Sequence, residues 1–128
     1  MQLEILRAID AKDAPSLAPD DRPIDLVHLA RTTLGDRGLE REVLELFDRQ
    51  AAMLIVRMRA GGDAAVGPLA HTLKGSASGI GAVRVEDAAA AAERSAGAGA
   101  GPCSQAVDRL ATAVEEARAL IAELLREP

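Results

Sequence analysis

The sequence predicts an all-α fold, an antiparallel four-helix bundle with a short leading helix, and three observations predict it. Aromatic residues make up 1% of the 128 residues, with Phe47 alone and neither Trp nor Tyr present, which removes much of what favours strands. Ala, Leu, Glu and Arg dominate instead, residues that lose little side-chain freedom in a helix. Apolar residues then recur at three- and four-residue steps in four long segments separated by short glycine-rich links. Links this short between amphipathic helices imply antiparallel neighbours, and burying four apolar stripes together makes a bundle.

Each element has its own signal. Residues 1–23 read as an N-terminal extension: Leu3, Ile5, Leu6 and Ile9 suit a short amphipathic helix, and the three prolines between Ala14 and Pro23 separate it from the rest of the chain. The domain proper, residues 24–128, opens at Asp25, a good N-cap, with a short helix through Leu26, Leu29 and Ala30 to the turn-like Gly35-Asp36-Arg37-Gly38. From Leu39 a longer helix carries Leu39, Val43, Leu46, Phe47, Leu54, Ile55 and Met58 until Gly61-Gly62. Asp63 is the expected cap of the next helix, whose core side holds Val66, Leu69, Leu73, Ala77 and Ile80 before Gly79 and Gly81 loosen its end. A helix over about Val85 to Ala96 contains five consecutive alanines, Ala88 to Ala92, which permit close packing. After the link 97–102, Ser104 is the expected cap of a last helix with Val107, Leu110, Val114, Ala117, Ile121 and Leu124 inward.

Composition excludes several function classes. A net charge of -5 argues against a nucleic-acid partner, since phosphate contacts need a basic surface. A single cysteine, Cys103, rules out an internal disulfide framework and reads as an incidental loop residue. No apolar run reaches a membrane span, and the N-terminus lacks the uninterrupted apolar core of a secretory signal. A cytoplasmic location is the expectation. The acidic pairs Asp20-Asp21 and Glu115-Glu116 lack metal-site spacing, and the Glu-x-x-His motif of di-metal bundles is absent.

Histidine chemistry rests on His28 or His71. With His71 set at zero and about 100° per residue, Val66, Leu69, Leu73, Ala77 and Ile80 fall between roughly 160° and 240°. His71 therefore faces away from the core, among Gly67, Pro68, Lys74, Gly75 and Ser78. A neutral imidazole is a good nucleophile near neutral pH. Lys74, one turn along, offers a cation for phosphoryl oxygens, and Gly75 and Ser78 leave room for another protein's active site. No phosphate-binding glycine loop and no carboxylate cluster for Mg²⁺ accompanies them. His28, between Val27 and Leu29, lacks such small neighbours and is expected to be a partly buried structural histidine.

Leu69 to Ala82, LAHTLKGSASGIGA, closely resembles the phosphorylation-site helix of histidine-containing phosphotransfer (HPt) domains: a histidine, lysine three on, glycine four on, and a small residue about ten on, matched by His71, Lys74, Gly75 and Gly81. The helix order over about residues 24–128 agrees with it. The resemblance implies a phosphorelay intermediate, not an enzyme in its own right, that accepts a phosphoryl group on the Nε2 of His71 from a receiver-domain aspartate, or from a sensor or hybrid histidine kinase, and passes it to another receiver. It implies Lys74 as the phosphoryl-orienting cation and a docking face over Gly75, Ser78 and neighbouring exposed residues of the preceding helix, with Gly67, Pro68 and Arg84 at its margin. It implies no cofactor of the chain's own, the receiver supplying aspartate and Mg²⁺. A polar residue of an adjacent helix often steadies the imidazole in the family, and Gln50 and Arg57 are the candidates here. A monomer is expected, as is common in the family and as the lack of an obvious large apolar patch suggests. A helical adaptor that binds a receiver or kinase without phosphotransfer is the alternative reading.

Overall fold

The computed structural model describes residues 22–99 and 103–127. The helix expected around Leu3 to Ile9 lies outside them. Asp25 stands in extended backbone, and its Oδ1 accepts the amide protons of Val27 and His28 at 3.1 Å, starting α1 (Leu26–Thr32) as the sequence indicated. Leu34 (φ 55°) and Gly35 (φ 75°), both left-handed, turn the chain. α2 (Arg37–Gly61) then begins two residues earlier than the apolar pattern suggested, because Asp36 is itself an N-cap, its Oδ1 accepting from the Leu39 amide at 3.0 Å. Arg37 and Gly38, placed in the turn from sequence, form the first helical turn instead.

α3 (Asp63–Ile80), α4 (Val83–Ala98) and α5 (Ser104–Arg126) complete the order. Two expected caps are corrected. Gly62, at φ 73°, is the N-cap residue of α3, and Asp63 turns its carboxylate across the bundle to accept the Cys103 amide at 3.2 Å. Ser104 is the first residue of α5 and Cys103 its N-cap residue; Cys103 is buried in the core and not loose in a loop. The α2 stripe is corrected as well. Leu44, Phe47, Ala51, Leu54, Ile55 and Met58 are buried, whereas Leu39 and Leu46 are exposed, so the sequence pattern had merged two faces of one helix. The expected core stripes of α3 and α5 are buried, with Leu69 and Leu124 half-covered at their margins.

The four long helices pack in a ring, α2 on α3, α3 on α4, α4 on α5 and α5 on α2, while α1 lies on α3. Polar ties fix the antiparallel register of α2 and α5. Arg41 donates to the carbonyls of Leu125 (2.7 Å) and Glu127 (3.0 Å), Arg118 pairs with Asp48 at 2.8 Å, and Arg59 pairs with Asp108 at 2.9 Å. The Arg41 bonds satisfy carbonyls that a helix C-terminus leaves open. α3 and α4 pack most extensively, and small residues allow it: Ala70, Ala77, Ala89 and Ala92 are fully buried, and a Cβ placed on Gly67 would stand 3.6 Å from that of Ala96. Full burial of a Leu side chain such as Leu73 or Leu110 contributes about 1.5–3 kcal/mol.

α1 is fastened to the far end of α3. The Asp25 amide donates to the Gly81 carbonyl at 2.7 Å, while His28 Nε2 (3.2 Å) and the Thr32 hydroxyl (3.3 Å) donate to the Gly79 carbonyl. Gly81 holds φ 78°, and a Cβ there would come within 2.9 Å of the Asp25 carbonyl, so the turn demands glycine twice over. His28 is thus half-buried and structural, as expected.

Candidate functional site

α3 turns its core stripe inward and carries His71 on the opposite side, where the imidazole is 67% exposed. Gly75 and Ser78, one and two turns on, are exposed, and among the described residues nothing lies within 4 Å of a Cβ built on Gly75. Gly67 and Pro68 share with His71 an open groove of about 560 Å³ between α3 and α4, bounded on the α4 side by Glu93 and Ala96. The structure therefore brings together His71, Lys74, Gly67, Pro68, Gly75 and Ser78 on one face of α3. Arg84 does not join them: its guanidinium pairs with Glu116 of α5 at 3.3 Å, on the other flank of α4.

The imidazole is steadied from α4. His71 Nδ1 stands 2.9 Å from Glu93 Oε2, and the Lys74 ammonium stands 2.8 Å from Glu93 Oε1, so one carboxylate bridges both side chains. Hydrogen bonds from Lys74 and, second, from His71 hold the Glu93 carboxyl below its ordinary range. An ionised carboxylate only accepts, so the 2.9 Å bond requires the proton on Nδ1. In the neutral ring that leaves the lone pair on Nε2.

Glu93 replaces Gln50 and Arg57, the α2 residues expected in this role. The sequence carried a usable signal. α3 and α4 fold back on each other about Gly81-Ala82, and Glu93 lies nearly as far beyond that turn as His71 lies before it, as the acid that ends the alanine run. The Lys74 ammonium is held by Glu93 beside the imidazole. Among the described residues no group of three or more His, Cys, Asp or Glu side chains could hold a metal ion, and no helix is long and apolar enough to cross a membrane.

What this arrangement can do chemically is present an oriented nitrogen nucleophile, with a cation beside it, to a partner that brings the electrophile. No curated protein and no solved structure matches the chain. The Hpt domain family model matches residues 41–124, well over half of the sequence, spanning nearly all of α2 and α5 and the whole of α3 and α4. The chain belongs to the Hpt domain family, the histidine phosphotransfer modules of phosphorelays.

Proposed function

We propose that His71 is the phosphoacceptor of a phosphorelay shuttle, taking a phosphoryl group from a receiver-domain aspartate or a histidine kinase and giving it to another receiver. The observation that carries this reading is the 67% exposed imidazole whose Nδ1 is engaged by Glu93. In the forward step the Nε2 lone pair attacks phosphorus, an Nε2–P bond forms, and the P–O bond to the aspartate breaks with both electrons leaving on the carboxylate. The ring becomes an imidazolium whose Nδ1 proton stays on the hydrogen bond to Glu93, which offsets the new positive charge. Return transfer reverses each change.

Lys74 has a second role open to it. Its ammonium, already within a turn of His71, exchanges one Glu93 oxygen for a phosphoryl oxygen as charge builds there. The chain needs no cofactor of its own in this scheme, because the receiver brings the aspartate and its Mg²⁺. Gly75 and Ser78, with Gly67 and Pro68 along the groove, form the face the partner covers, and the whole domain, residues 24–128, works in the cytoplasm.

The test is transfer itself. The purified protein and its His71→Gln variant are mixed with autophosphorylated hybrid kinases and receivers of the same genome, and the labelled phosphoryl group is followed in time. Rapid labelling of the wild type alone, with an unchanged helical circular dichroism spectrum in the variant, is the expected result. Labelled variant protein would move the acceptor elsewhere, and unlabelled wild type that still binds the donors would favour the adaptor reading.

A further inference from the structure

The charges around His71 bear on which phosphoryl donors can reach it. Apart from His71 itself, the ionisable side chains that line the open groove beside the imidazole are Asp63 and Glu93, both acids. Lys74, the cation one turn along, is not among the lining residues, and its ammonium is held at 2.8 Å by Glu93 Oε1. A small anion entering the groove from solvent therefore meets two carboxylates, and the neighbouring ammonium is already paired with one of them.

Phosphoryl donors are anions, so this surrounding separates them by what accompanies the phosphoryl group. A receiver's aspartyl phosphate and a free acyl phosphate such as acetyl phosphate carry the same reactive bond. In the proposed relay the receiver brings Mg²⁺, which offsets the phosphoryl charge, and docking holds the group in place at high effective concentration. Acetyl phosphate arrives as a bare anion. We propose that Glu93, together with Asp63, determines donor specificity: it turns away free acyl phosphates and reserves His71 for protein-borne phosphoryl groups. This inference rests on His71 being the phosphoacceptor. With the free donor the Nε2 lone pair attacks phosphorus, an Nε2–P bond forms, and the P–O bond to acetate breaks with both electrons leaving on the acetate carboxylate. The bond chemistry is thus shared, and the surrounding charge is what differs. The two oxygens of Glu93 divide the work: Oε2 orients the ring, while Oε1 withholds the ammonium until a docked phosphoryl group competes for it.

The experiment incubates the full chain and its Glu93→Gln variant with labelled acetyl phosphate at low ionic strength and, in parallel, with a phosphorylated receiver that labels the wild type. Label at His71 is taken as that lost when His71→Gln is added to each protein. Glu93→Gln is expected to take label from acetyl phosphate about tenfold faster than the wild type, yet from the receiver more slowly, because the orienting carboxylate is gone. A damaged fold would slow both, so opposite signs are the signature of a charge filter. Adding Lys74→Ala to Glu93→Gln should cut the gain, since the freed ammonium supplies part of it. Asp63→Asn, whose amide oxygen still accepts the Cys103 amide, should give a smaller gain of its own. Added salt should narrow the difference between wild type and variant by screening the repulsion. A Glu93→Gln variant labelled no faster than wild type by acetyl phosphate overturns the proposal. So does one labelled faster by both donors, which would make Glu93 a general brake on His71. A wild type that takes no label from any receiver or kinase is a separate result, and overturns the phosphoacceptor reading itself.

Discussion

At the scale of single residues, Glu93 decides how His71 behaves. Glu93→Ala removes the acceptor that holds the Nδ1 proton and should slow phosphoryl transfer on the order of 10-fold. Glu93→Gln, whose amide oxygen still accepts, should lose less; equal loss in both would show that charge, not orientation, is what matters. The carboxyl itself should titrate below its ordinary range in ¹³C NMR, and Lys74→Ala should move it back up, since the Lys74 hydrogen bond is the largest cause of the shift. The sign follows from the depressed folded value: the bridge contributes stability fully above the unfolded-state value, and that stability is lost as pH falls through the folded one. The shared face of His71, Lys74 and Gly75 was legible in the sequence because all three sit on one helix, where spacing alone fixes direction. Glu93 is legible only across the Gly81-Ala82 turn, from its matching distance beyond it, because its partnership lies between two helices and no spacing within either one records it.

At the scale of elements, the helices were legible and their ends were not. Apolar periodicity placed α2 through α5, but neighbouring residues at each start can serve as the cap, and only the tertiary fold sends the Asp63 carboxylate to Cys103 rather than to its own helix. The two faces of α2 were confused for a related reason. Leu and Met on an exposed stripe carry the same apolar signal as Leu and Met in the core. Two glycines test what α3 requires. Gly75→Ala should stabilise the fold by about 1 kcal/mol in denaturant titrations, because the position is helical and open, while Gly75→Leu should fold and transfer about tenfold more slowly by obstructing the partner. Gly81→Ala should do the reverse, costing roughly 1–3 kcal/mol through left-handed strain and a clash with the Asp25 carbonyl.

At the scale of the whole molecule, the proposed phosphoacceptor site and the packing share the α3–α4 seam. The carboxylate bridging His71 and Lys74 is set by the distance at which Ala89 and Ala92 let α4 approach α3. Ala92→Leu should therefore cost about 1–3 kcal/mol by overpacking and also slow transfer, whereas a surface change of equal stability cost should leave transfer intact. The bundle itself was legible as an all-helical ring because Gly- and Pro-rich links interrupt every stripe. The short leading helix offers a different kind of consequence. α1 reaches the rest of the described chain mainly through buried Ile24 and Leu29 and through carbonyls of Gly79 and Gly81, with no long helix wrapped around it. Anchored by a few buried side chains and carbonyls at one end of α3, α1 is expected to open as its own cooperative unit before the bundle does. Native-state hydrogen exchange should show α1 amides exchanging through a local event much faster than those at Leu73 or Leu110. Each such event would release the last turn of the histidine helix, giving the proposed docking face a breathing rate distinct from the lifetime of the fold.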